Sequence, residues 1–181
     1  MFKSLAGRTA VITGASKGIG RGIARRLGGV GCSVLVVARN AVESESAARE
    51  ITEAGGRASA FSADVANESE TKAMAAAAVD RYGSLDILCA NAGIFPAAKL
   101  DAMSGSEFDT VLATNLRGTF LSVSACLPAL KKSQGSYCCY LIDYRSNYRI
   151  SRLVTLWREQ SRPTRLPSHG RHRACPGGSD H

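Results

Sequence analysis

Six lysines stand at or before Lys132, and none follows it. Six cysteines are present, but no two stand at Cys-x-x-Cys spacing, so no metal site is expected. Cys32, Cys89 and Cys126 each fall inside an apolar segment and read as buried, reduced thiols. Long apolar runs are missing. The longest, residues 73–79, falls far short of the roughly 20 residues a membrane-spanning helix needs. The opening residues, Met-Phe-Lys-Ser-Leu-Ala-Gly-Arg, carry no secretory apolar core, which points to a cytoplasmic protein with no membrane partner. Aromatic residues make up 6% of the chain, with one tryptophan, too sparse an interleaving for a nucleic-acid surface.

What is present suits one globular domain: 181 residues, 45% apolar and 21% charged. The net charge of +8 is spread unevenly. Residues 1–135 carry 15 Lys and Arg against 12 Asp and Glu, whereas residues 136–181 carry 8 against 3. The second stretch also holds all three histidines and three of the five prolines.

Hydrophobic patterning gives the order of elements. Residues 8–13 contain a β-branched run, Thr-Ala-Val-Ile-Thr, leading into glycine, as a buried strand does. Ile19, Ile23, Ala24 and Leu27 place an apolar stripe on a helix over 18–27. Residues 33–38 read as a second buried strand, and 41–54 as an alanine- and glutamate-rich helix stopped by Gly55-Gly56. A third strand at 57–62, a third helix at 69–82 and a fourth strand at 85–90 follow. Ser104-Gly-Ser-Glu107 has capping-box spacing and opens a long helical stretch to about Leu130, with Pro128 marking its last turn. One more strand is expected at 136–142. This alternation predicts an α/β fold with a doubly wound parallel sheet and right-handed crossovers. Residues 1–135 are expected to form the domain, incomplete at its C-terminal side. The arginine-rich residues 136–181 form a tail, irregular over 146–181.

Between the first strand and first helix lies Thr13-Gly14-Ala15-Ser16-Lys17-Gly18-Ile19-Gly20. Glycines there let the chain turn sharply and bring backbone N–H groups up to a pyrophosphate, while the helix N-terminus adds partial positive charge. With its Gly-x-x-x-Gly-x-Gly spacing, the segment resembles the fingerprint of the short-chain dehydrogenase/reductase family. Further matches follow in order: Asp64-Val65, Asn91-Ala92-Gly93 after the fourth strand, and Asn115 in Thr-Asn-Leu-Arg-Gly-Thr-Phe. The overall run is similar to 3-oxoacyl-acyl-carrier-protein reductases. The resemblance implies a Rossmann-like fold with Gly14, Ser16, Lys17, Gly18, Ile19, Gly20, Asp64, Val65, Asn91, Ala92 and Gly93 around a nicotinamide dinucleotide. It also implies that Asn115 is the one surviving member of a catalytic tetrad, that the substrate is a small carbonyl or alcohol, and that intact relatives are homo-oligomers.

Charge indicates which dinucleotide. An acidic residue ending the second strand would hold a ribose 2′-hydroxyl and select NAD. Here Ala38 and then Arg39 stand at that place, and Arg39 with Lys17 suits the 2′-phosphate of NADP.

The resemblance also implies a serine and a Tyr-x-x-x-Lys beyond Asn115, the tyrosine serving as general acid/base. No such tetrad element is found. Tyr148-x-x-x-Arg152 has the nearest shape, but it comes too soon after the fifth strand, and arginine does not replace lysine like for like. Permitted codons for Tyr140 to Arg145, read one nucleotide later, give Thr-Ser-Ser-Ile-Thr-Gly; those for Leu156 to Ser161 give Tyr-Gly-Ala-Ser-Lys. A frameshift near codon 135 is therefore expected. As written, the chain reads as a catalytically defective oxidoreductase, or as a non-catalytic NADP(H)-binding fragment. A third reading, a basic interaction protein, rests on a stripe of Arg145, Arg149 and Arg152.

Overall fold

The computed structural model describes residues 5–95, 101–140 and 153–156. The elements run β1 (Thr9–Thr13), α1 (Gly18–Gly29), β2 (Ser33–Ala38), α2 (Ala41–Glu53), β3 (Arg57–Ser62), α3 (Glu68–Tyr82) and β4 (Ile87–Ala90). There follow α4 (Gly105–Leu112), a π-helical turn at Ala113–Arg117, α5 (Gly118–Ser133), β5 (Ser136–Tyr140) and β6 (Leu153–Leu156). The sheet order is β3-β2-β1-β4-β5-β6. The pairs among β1 to β5 are parallel, and β6 is antiparallel to β5.

Alternation along the strands separates two cores. Val11, Leu35, Val37 and Leu88 face Met74 and Ala78 of α3 and Cys126 and Leu130 of α5. Ala10, Ile12, Val34 and Val36 face Ala24 of α1 and Ala47 and Ile51 of α2. Helices thus cover both faces, and every residue of β1 is buried. Burial pushes the Cys126 thiol up to about 12, so it stays protonated.

The chain winds outward from β1 through β2 to β3, then returns to the other side of β1 for β4. That reversal opens a crevice at the carboxyl ends of β1 and β4, where ligands settle in open α/β sheets. At the opposite ends, the buried Asp86 carboxylate accepts bonds from Arg8 Nη1 at 2.6 Å, Thr9 N at 2.9 Å and Ser84 Oγ at 2.8 Å. Burial pushes this carboxyl up, but those donors outweigh it and hold it below its ordinary value of 3.8. The fold therefore favours the ionised form. Its contribution is complete above that value and is lost as pH falls through the lower folded one. Asp86→Ala is expected to cost about 2 kcal/mol at neutral pH, because Thr9 N–H loses its acceptor. Urea unfolding from pH 7 to pH 3 should show a smaller acid-side loss in the variant than in the parent chain.

Three expectations need correction. The long helix is not uniform, because the π-helical turn interrupts it. Nor does Pro128 mark its last turn: the helix continues to Ser133, whose hydroxyl donates to Leu85 O at 2.7 Å, and ends at Gln134 in the left-handed region. A proline removes its own N–H and crowds the carbonyl four residues back, but the buried Leu130 beyond it keeps the helix packed on the sheet. Within the stretch expected to be irregular, residues 153–156 pair with the otherwise open edge of β5. The run Leu-Val-Thr-Leu suits such an edge pairing. Residues 141–142 of the expected fifth strand, Tyr148, the stripe of Arg145, Arg149 and Arg152, and residues 157–181 lie outside the described residues.

Candidate functional site

The glycine loop sits at the head of the crevice. Gly14 lies at φ +66°, where a side chain is strained, and a Cβ there would come within 2.8 Å of Ala92 Cα. A Cβ on Gly20 would overlap the Gly14 carbonyl oxygen and lie 2.6 Å from Asn91 Nδ2. Both positions must be glycine for this loop to pack so close to the end of β4.

Asn91 and Thr13 lock the two strand ends together. Thr13 Oγ1 accepts from the N–H groups of Asn91 and Ala92, each at 3.0 Å. The Asn91 amide donates to Thr13 O at 3.0 Å and Gly14 O at 3.3 Å. Ala15 N, in turn, donates to Val37 O at 3.1 Å, so the loop is pinned to β2 as well. These bonds aim the loop and the first turn of α1 into the crevice.

The three helices here differ at their starts. Asn40 caps α2 and Asn67 caps α3 with side-chain acceptors. Lys17, the N-cap residue of α1, makes no side-chain capping bond, and the first turn of α1 contains no acidic residue. That helix end presents N–H donors and positive potential with no carboxylate from its own first turn, a setting suited to phosphate.

The crevice holds a cavity of about 730 Å³. Its walls include eleven predicted residues: Gly14, Ser16, Lys17, Ile19, Gly20, Arg39, Asp64, Val65, Asn91, Ala92 and Gly93. Gly18 and Asn115 do not line it, although their neighbours Lys17, Ile19 and Thr114 do. The volume falls in the range of small-molecule and cofactor sites. Ile19 is 51% exposed on its wall, an apolar side chain without a protein cover. Asp64 also has a local role, its Oδ1 accepting Ala66 N at 2.9 Å.

Asn115 lies in the π-helical turn, behind the cavity. Its Oδ1 accepts Ile94 N at 2.8 Å and its Nδ2 donates to Ile94 O at 2.9 Å. The side chain thus pins the segment after Gly93. Glu43, Asn40 and Ile94 also line the cavity and were not expected there. Glu43 had one sequence signal: it stands three residues after Asn40, inside the first turn of a capped helix.

A family model described as short chain dehydrogenase matches residues 8–137. The chain is 41% identical over 117 residues to a short chain dehydrogenase/reductase, AacuN, of Aspergillus aculeatus, covering 64% of this chain and 44% of that protein. Among solved structures, a 3-ketoacyl-ACP reductase from Sinorhizobium meliloti superposes with TM-score 0.69 at 41% identity, covering 72% of this chain and 52% of that one. A metagenomic short-chain oxidoreductase in complex with NADP superposes with TM-score 0.72 at 33% identity, covering 80% and 66%. The chain spans half or less of the length of the curated relatives it matches.

Proposed function

The chain belongs to the short-chain dehydrogenase family, and from that premise we propose that residues 8–137 are the cofactor-binding half of an NADP-dependent oxidoreductase. The observation that carries this reading is the uncapped start of α1, preceded by a glycine loop that Asn91 ties to the end of β4 at the sheet's reversal point. When bound, the nicotinamide supplies or receives a hydride. Here Gly14 to Gly20 receive the pyrophosphate on backbone N–H groups, and Lys17 and Arg39 face the 2′-phosphate of the adenosine ribose. Asp64 and Val65 border the adenine, and Asn91 to Gly93 border the nicotinamide side. The 3-oxoacyl substrate class is proposed on likeness to the S. meliloti enzyme.

Asn115 is the one tetrad residue we assign. Residues 116–181 contain no Tyr-x-x-x-Lys, so the chain as written is proposed to bind cofactor with little turnover. The one-nucleotide-later reading extends through residues 136–161 for one permitted codon set. It gives Arg-Ile-Val-Val-Thr-Ser-Ser-Ile-Thr-Gly-Pro-Thr-Thr-Gly-Phe-Pro-Gly-Trp-Ser-His-Tyr-Gly-Ala-Ser-Lys, with no stop. A shifted frame beginning at about codon 135, if the gene carries those codons, would remove the serine and the Tyr-x-x-x-Lys together; sequencing the gene checks the codons.

The cofactor assignment is tested with Arg39→Ala. A charge-assisted contact to phosphate predicts a loss of NADP affinity of about tenfold or more, with a smaller change for NAD. Equal losses for both nucleotides would remove Arg39 from the 2′-phosphate site.

A further inference from the structure

The adenosine side of the cavity holds a charge of the wrong sign for a simple phosphate pocket. Glu43, in the first turn of α2, reaches back to the glycine loop, where its Oε2 accepts the Ser16 hydroxyl at 3.0 Å. Its backbone N–H donates to Asn40 Oδ1 at 3.2 Å, so the helix cap fixes the point from which the carboxylate extends. Glu43 lines the same cavity as Lys17 and Arg39. Among the described residues, neither cation forms an ion pair with it. With Asp64 also on the wall, two cations face two carboxylates.

Resting on the dinucleotide-binding reading above, we propose that Glu43 is a specificity-determining residue that holds down the preference for a 2′-phosphate and lets the site take an unphosphorylated ribose as well. Two effects act in the same direction. The carboxylate repels a phosphate placed beside Arg39, and at this exposed position the repulsion is screened by water and salt. It also engages the Ser16 hydroxyl, a donor otherwise available to phosphate oxygens. A carboxylate that repels phosphate can still accept a bond from a ribose hydroxyl. In NAD sites that acceptor stands at the end of the second strand. In this chain Ala38 occupies the strand position, and α2 supplies the carboxylate instead.

The full chain is titrated by calorimetry with 2′,5′-ADP and with 5′-AMP, which differ by the 2′-phosphate and need no nicotinamide pocket. Glu43→Gln is expected to shift the ratio of the two affinities roughly tenfold toward 2′,5′-ADP, and Glu43→Lys to shift it further. Both shifts should shrink as salt is raised. The Glu43 side chain is exposed, so neither substitution disturbs the core. If both variants keep the parent ratio, the role of Glu43 is overturned and the dinucleotide site stands. If the parent chain binds neither nucleotide, the dinucleotide site itself is overturned, and Glu43's role with it.

Discussion

Gly20→Val is expected to abolish measurable NADPH binding and to destabilise the chain by about 1–3 kcal/mol. The new side chain would collide with backbone, the Gly14 carbonyl, and with the Asn91 amide that ties the glycine loop to β4. A flexible side chain could swing aside; the Gly14 carbonyl cannot, because Ala15 is already pinned to Val37 O. The loop must move outward instead, which carries the first turn of α1 away from the crevice. Gly22→Ala, two residues along, is the matched control. A Cβ there meets nothing within 4 Å, and alanine favours a helix interior over glycine by roughly 0.5–1 kcal/mol. Nucleotide-fluorescence titration and urea unfolding should therefore separate the two, with Gly22→Ala binding like the parent and slightly more stable. Equal binding by both variants would mean that the glycine loop does not hold the nucleotide.

The second large effect concerns turnover. A positioned acid/base group contributes about 10²–10⁴-fold to a proton-transfer step. With no Tyr-x-x-x-Lys in residues 116–181, ketone reduction by the full chain with NADPH is expected to fall short of tyrosine-bearing relatives by at least that factor. Absorbance at the nicotinamide band, followed with a panel of 3-oxoacyl thioesters and simple ketones, measures this. A rate comparable with those relatives would show that another group in this chain donates the proton.

The sequence made the strands and the phosphate loop legible because each is locally encoded. The β-branched run at 9–13 and the Val-rich apolar run at 33–38 are short and bounded by glycine or polar residues, as buried strands are, and glycines mark the stops at 55 and 83. Cavity residues such as Asp64 and Asn91 were legible through the family resemblance of Asp64-Val65 and Asn91-Ala92-Gly93, which stand just beyond β3 and β4. Other features needed the third dimension. Nothing local says that Glu43 reaches Ser16, since that contact exists only once α1 and α2 lie side by side on one face of the sheet. The pairing of β6 depends on β5 offering an unfilled edge, not on a long run of its own.

The π-helical turn left a trace that periodicity alone did not resolve. Phe108, Leu112, Leu116 and Phe120 recur strictly every four residues. In a helix of 3.6 residues per turn, that spacing drifts by about 40° per step. A wider turn at Ala113–Arg117 takes up part of the drift, and the four side chains remain 41–67% exposed. The same turn carries Asn115, whose amide grips Ile94 from both sides. Such turns recur at functional sites, and here one sets the back wall of the cavity.

Backbone amide hydrogen exchange, measured on the full chain with and without saturating NADPH, tests the central claim most directly. If the phosphates rest on the N–H groups that open α1, exchange across residues 14–20 slows on addition of nucleotide, while the amides of α3 on the other face of the sheet barely change. Unaltered exchange across 14–20, in a chain that nonetheless binds NADPH, would place the nucleotide elsewhere.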